Sequence, residues 1–138
     1  MHNPTQLADR YLAMWNDPQP ERRGAAVRAL WAPTGGQILQ PPQDIRARAA
    51  TIGFFAPVLE ARGHDALEAR VATAYEEFVA PGKFCFRRRG EATRLNNVVK
   101  FEWEMVTVSD GEPAGGGTEF MILDEHGRIE NDYQFIDS

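Results

Sequence analysis

Cysteine is nearly absent from this chain, which carries one, Cys85. A single thiol closes no internal disulfide and builds no cysteine-based metal site. Between Phe84 and Phe86 it reads as a small, buried or half-buried thiol on a strand. Arg87, Arg88 and Arg89 lie beside it, but no histidine partner is visible and no nucleophile is assigned. Histidine is scarce as well. His2, His64 and His126 fall at a terminus, a helix start and a turn, with no pair at ligand spacing, so no metal is expected. Long apolar runs are missing, and nothing approaches the roughly 18 residues needed to cross a bilayer, which excludes a membrane span. The stretch Met1-His2-Asn3-Pro4-Thr5-Gln6 has no basic flank and no apolar segment after it, so cytoplasmic residence is the expectation. Positive charge is also short: the net charge is −5, against the excess of lysine and arginine that phosphate binding requires. The one basic cluster, Arg87 to Arg89, alternates faces on a strand, where the arginines are either solvated or paired with acids. No G-x-S-x-G, phosphate-loop or dinucleotide pattern occurs. Gly115-Gly116-Gly117 lacks the lysine and the following helix that a phosphate cradle needs.

What is present suits one globular domain spanning 1–138: 43% hydrophobic and 25% charged residues in 138. Asn3 can cap a helix with Pro4 at its first position, and Leu7, Tyr11, Met14 and Trp15 recur at helical spacing until Asn16-Asp17-Pro18. A second helix is predicted from about Glu21 to Trp31, ended by Ala32-Pro33-Thr34-Gly35-Gly36. Ile38 and Leu39 read as a brief strand before Pro41-Pro42. In 43–62, Ile45, Ala49, Ile52 and Phe54-Phe55 suggest a short helix and a covering loop. Asp65 with Glu68 is a capping-box pattern, opening a helix through Leu67, Val71, Ala74, Tyr75 and Phe78.

Strands fill the rest. Lys83 to Arg88 is one, and Leu95 to Val108 is a second, in which Phe101, Trp103 and Met105 alternate with charged residues. Thr118 to Leu123 and Arg128 to Ile136 follow, joined by the tight turn Asp124-Glu125-His126-Gly127. Helices first and antiparallel strands last give an α+β fold. Glu119 shares a face with Met121 and Leu123, while Asp132 shares one with Gln134 and Ile136. An acid in such a row is either buried, and then paired or neutralised, or it meets an arginine on an outer face.

The order of elements, with Tyr11-Leu12-Ala13-Met14-Trp15 on the first helix and Asp124-Glu125-His126-Gly127-Arg128-Ile129 in the last hairpin, resembles the nuclear transport factor two-like superfamily. The SnoaL-like group and the ketosteroid isomerases are the members it resembles most. The resemblance implies a cone: a strongly curved antiparallel sheet wrapped around N-terminal helices, enclosing a pocket, usually in a dimer. It also implies that Tyr11 and Glu119 take the places of the tyrosine and acid that hold an oxyanion in the isomerases. Asp132 and Gln134 would then turn toward the pocket. The isomerases' general base has Gln40 in its place here, before Pro41, and an amide abstracts no proton. The long segment after Pro41 reads as a lid, or as an extension of the core.

These readings lead to a pocket protein for a small, largely apolar organic ligand bearing a carbonyl or hydroxyl. As an enzyme it would use cofactor-independent acid–base chemistry: isomerisation, cyclisation or addition of water. Tyr11 and Glu119 would donate hydrogen bonds to developing negative charge, with Asp132 as base. Trp15, Gln40, Phe54, Phe55, Phe101, Trp103, Met105 and Gln134 would contact the ligand. The alternative is a ligand-binding or interaction module without catalysis. A homodimer is expected through the outer sheet face, where Phe120, Ile122, Tyr133 and Phe135 would gather.

Overall fold

The computed structural model describes residues 3–41, 43–53 and 58–137. Helix α1 runs Pro4–Asn16, and the Asn3 side chain accepts from the Thr5 N–H as its cap. It buries Leu7, Ala8, Tyr11, Leu12, Met14 and Trp15, the helical stripe expected from the spacing. Helix α2, Pro20–Leu30, ends one residue before the predicted limit, because Trp31 already belongs to a strand.

That strand is the largest departure from expectation. β1 occupies Trp31–Leu39 rather than Ile38 and Leu39 alone, and runs through Pro33, Gly35 and Gly36. The glycines do not break it; they let neighbouring backbones approach. A Cβ on Gly35 would stand 2.5 Å from the Ile129 carbonyl, and one on Gly36 would stand 2.9 Å from that of Ala61. Helix α3, Gln43–Thr51, buries none of its side chains. A short strand not anticipated from the sequence, β2 at Leu59–Arg62, pairs with β1. Of the other apolar residues in 43–62, Ile45, Ile52 and Val58 are exposed.

Helix α4, His64–Ala74, starts at Gly63 without a side-chain cap. The capping box does not form because both acids turn to Arg28: Glu68 accepts from its Nη1 at 2.7 Å and Asp65 from its Nη2 at 3.2 Å. The helix continues as a π-helical turn, Tyr75–Val79. β3 (Phe84–Leu95), β4 (Val98–Thr107), β5 (Pro113–Leu123) and β6 (Ile129–Ile136) complete the chain. Gly127, at φ +81°, takes the left-handed position of the last hairpin turn, and Asp124 Oδ1 accepts from the His126 and Arg128 N–H groups.

The six strands form one open sheet in the order β2-β1-β6-β5-β4-β3. It is mixed rather than wholly antiparallel, because β1 lies parallel to β6, with Gln37 beside Asp132 and Leu39 beside Gln134. A direct hairpin cannot join parallel neighbours, and here everything from Gln40 to Arg128 lies between them. The architecture is α+β, with α1, α2 and α4 on the concave face. Among the described residues no helix is long and apolar enough to cross a membrane.

Outside the core, the cluster at 87–89 is paired. Arg87 meets Glu104 at 2.6 Å, Arg88 meets Asp9 at 2.9 Å and Arg89 meets Asp137 at 3.2 Å. Cys85 is a half-buried free thiol.

Candidate active site

Three strands turn polar side chains inward at adjacent positions. The β5–β6 register sets Glu119 opposite Gln134 and Met121 opposite Asp132, and the β1–β6 register sets Gln37 beside Asp132. Side chains two residues apart share a face, so Gln37, Glu119, Asp132 and Gln134 form one polar island on the concave side. Glu119, Asp132 and Gln37 are wholly buried. Above them lies Tyr11 of α1, its ring wedged against Trp15, Trp31 and Phe101 at centroid distances of 5.8, 5.7 and 5.5 Å.

Hydrogen bonds join these groups in a ring. The Tyr11 hydroxyl donates to Asp132 Oδ2 at 2.6 Å and accepts from Gln37 Nε2 at 2.9 Å. Arg70 of α4 donates through Nε to Gln37 Oε1 at 3.1 Å and through Nη2 to Gln134 Oε1 at 3.5 Å. Gln134 Nε2 donates to Glu119 Oε1 at 2.7 Å, and Trp103 Nε1 donates to the same oxygen at 2.9 Å. Two buried oxygens, Glu119 Oε2 and Asp132 Oδ1, have no donor among the described residues. They belong to the two carboxyls that close the ring, and one proton shared between them satisfies both.

The electrostatics agree on where that proton resides. Burial pushes Glu119 well above the usual carboxylate range, and the charge of Asp132 and the hydrogen bond to it push it further. Burial also raises Asp132, but bonds from Glu119, Tyr11 and Gln37 and the charge of Arg70 oppose the rise. The pair therefore holds one proton and one negative charge between them, with the proton favoured on Glu119. Tyr11, pushed well above its ordinary value by burial and then by the neighbouring carboxylates, remains a donor.

A cavity of about 470 Å³ opens beside this array, a volume suited to a small-molecule ligand. Of the residues expected to contact a ligand, Trp15, Gln40, Trp103, Met105 and Gln134 line it, as do Tyr11 and Glu119. Tyr11 and Glu119 contribute little surface, being 1% and 0% exposed. Asp132 does not line the cavity. It is bonded to the Tyr11 hydroxyl and to Glu119 instead, so the structure does not bring it to the cavity wall with them. Phe101 is likewise displaced from the wall, its ring packed edge-on to Tyr11. Phe54 and Phe55 lie outside the described residues. Gln40 uses its carbonyl oxygen to accept from the Ile136 N–H at 2.7 Å.

Two members of the ring went unread in the sequence. Gln37 alternates with Leu39 and faces inward with it, a signal lost when the strand is started at Ile38. Arg70 lies three residues after Leu67 and four before Ala74, so it shares their buried helix face. A charged residue in that stripe was the available sign. Among the described residues no group of three or more His, Cys, Asp or Glu side chains is arranged to hold a metal.

Against solved structures, the chain is similar to a candidate isomerase of the SnoaL-like family from Agrobacterium tumefaciens. The two share 26% identity with a TM-score of 0.75, over 96% of each chain. A nuclear transport factor two-like protein of unknown function from an Exiguobacterium species is 14% identical, with a TM-score of 0.64 over 96% of this chain and 98% of that one. A candidate polyketide cyclase from Sinorhizobium meliloti is 12% identical, with a TM-score of 0.57 over 94% of this chain and 93% of that one. The last two likenesses concern the fold alone. No protein-family model matches the chain, and no curated protein is similar to it.

Proposed function

The chain belongs to the nuclear transport factor two-like superfamily, and on that footing we propose that it binds a small, largely apolar molecule bearing a carbonyl or hydroxyl and acts on it by acid–base chemistry. The observation that carries this reading is the pair of unpartnered oxygens, Glu119 Oε2 and Asp132 Oδ1, on two buried, interacting carboxyls of which Glu119 borders the cavity. Two carboxyls holding one proton form a centre that can give a proton and take it back. Glu119, the member that borders the cavity, delivers the proton to the ligand oxygen. Asp132, held by Tyr11 and Gln37, carries the charge behind it.

Isomerisation, cyclisation and addition of water all need such a centre. The SnoaL-like neighbour described as a candidate isomerase and the candidate polyketide cyclase fall within that range. Gln40 supplies no second base, and Glu77 of the lining is exposed, so Glu119 is the buried carboxyl at the cavity wall fit for proton transfer.

Binding without turnover is the second reading, and one observation favours it: the Tyr11 hydroxyl is engaged by Asp132 and Gln37, Glu119 Oε1 by Gln134 and Trp103, and both side chains are almost wholly covered. A broad small-molecule screen by thermal shift, followed by product analysis of the hits, separates the two. If the first reading holds, Glu119→Gln binds a hit with little loss and turns none of it over. A hit that wild-type protein binds and leaves unchanged, under conditions spanning pH 5 to 9, overturns catalysis and leaves binding.

A further inference from the structure

Arg70 differs from the other charged groups near the cavity. Its guanidinium lines the apolar chamber, and no carboxylate of the described residues lies within salt-bridge distance of it. The arginines at 87–89, by contrast, each meet an acid. Only Nε and Nη2 are engaged, by Gln37 and Gln134, and the second contact is long at 3.5 Å. Nη1 has no acceptor among the described residues. The guanidinium carbon stands 5.3 Å from the Trp15 ring centroid, a cation–π contact that supports one face.

Arg70 is also oriented in advance. Gln37 and Gln134 each commit their amide N–H groups to the Tyr11–Asp132–Glu119 array, which leaves both carbonyl oxygens turned to Arg70. The carboxyl array thus fixes the two amides, and the two amides fix the guanidinium. A planar fork with unused N–H groups fits a carboxylate through paired hydrogen bonds. The walls around it, including Leu12, Leu39, Phe78, Phe86 and Met105, offer apolar surface instead of further charge. Glu77, the other charged residue of the lining, is exposed and remains hydrated, and it disfavours a second negative charge on an incoming molecule.

We propose that Arg70 anchors a ligand carboxylate, so that the molecules this pocket takes are monocarboxylates with an apolar body. This rests on the pocket reading above and narrows it to a chemical class.

Two probe pairs test it: naphthalene-2-acetate with its primary amide, and decanoate with decanamide, titrated into the full chain by calorimetry. In wild-type protein at least one carboxylate is expected to bind tenfold or more tighter than its amide. Arg70→Met should erase that preference, and Arg70→Lys should restore part of it. The wild-type comparison needs no substitution, so it decides even if Arg70→Met, which strands two amide carbonyls, fails to fold. An amide binding as well as its carboxylate in wild-type protein, or an Arg70→Met variant that keeps the preference, overturns the anchor and leaves the pocket standing. Absence of binding by all four probes counts against the pocket and the anchor together.

Discussion

Glu119 and Asp132 stand diagonally across β5 and β6, and each leaves one carboxyl oxygen buried without a donor among the described residues. A single shared proton removes both deficits. The consequence is thermodynamic: Glu119 binds its proton more tightly in the folded chain than at its ordinary value of 4.5. The stabilisation is full below that value and is lost as pH rises toward the raised native one, at ~1.4 kcal/mol per unit of separation.

Glu119→Gln replaces the protonated acid with an isostere that still accepts from Trp103 and Gln134 and donates to Asp132. Urea titrations from pH 4 to 9 should show wild-type stability falling relative to the variant as pH increases above about 4.5. A difference curve that is flat, or that slopes the other way, would mean that Glu119 is ionised in the native state.

Tyr11→Phe removes the 2.6 Å donor of Asp132 Oδ2 and leaves that oxygen with Gln37 alone, at 3.2 Å. The ring packing is untouched, so the loss should be that of a hydrogen bond to a charged group, about 1.5–3 kcal/mol. Chemical denaturation measures it. A cost below half a kcal/mol would show that Asp132 does not depend on the tyrosine.

Gly117 is required by close approach. A Cβ there would meet the Phe135 carbonyl and stand 2.8 Å from the Trp103 ring. Gly117→Ala should lower stability by about 1–3 kcal/mol through forced displacement, and because Trp103 moves, its fluorescence should change in the folded state. An unchanged emission spectrum with unchanged stability counts against the packing account.

The convex sheet face carries Tyr133 and Phe135, 37% and 48% exposed, with Phe120 edge-on to Phe135 at 5.6 Å. We expect a second copy of the chain to cover this patch. Light scattering at micromolar concentration should report a dimer, and Phe135→Glu should dissociate it. A monomeric wild-type chain refutes the assignment.

Most of this architecture could be read from periodicity. The α1 stripe named Tyr11 and Trp15, and the period of two grouped Phe101 with Trp103 on β4, Glu119 with Met121 on β5 and Asp132 with Gln134 on β6; which way the acidic rows face was implied by the family resemblance alone. What could not be read that way depended on contacts between distant segments. Gly35 and Gly36 look like a stop signal until the Ile129 and Ala61 backbones are seen pressed against them. Strand β2 has four mostly exposed residues and so no alternation to detect. Asp65 and Glu68 have the spacing of a cap, but Arg28, far off in sequence, claims them both. Depth along a shared face was invisible too: Asp132 and Glu119 point the same way, and only the position of Tyr11 decides which of them borders the cavity.

The parallel seam between β1 and β6 bears on how the molecule comes to exist. Trp31 aligns with Ile129 and Gln37 with Asp132, and the Tyr11–Asp132 bond joins residues 121 apart. Forming such contacts requires closing loops nearly as long as the chain, a topology associated with slow folding. The ring of hydrogen bonds draws on α1, β1, α4, β4, β5 and β6, so no fragment of the chain can hold part of it in place. The cavity is therefore complete only once the last of these closures has formed, and any molecule that bound it would stabilise that closure by mass action.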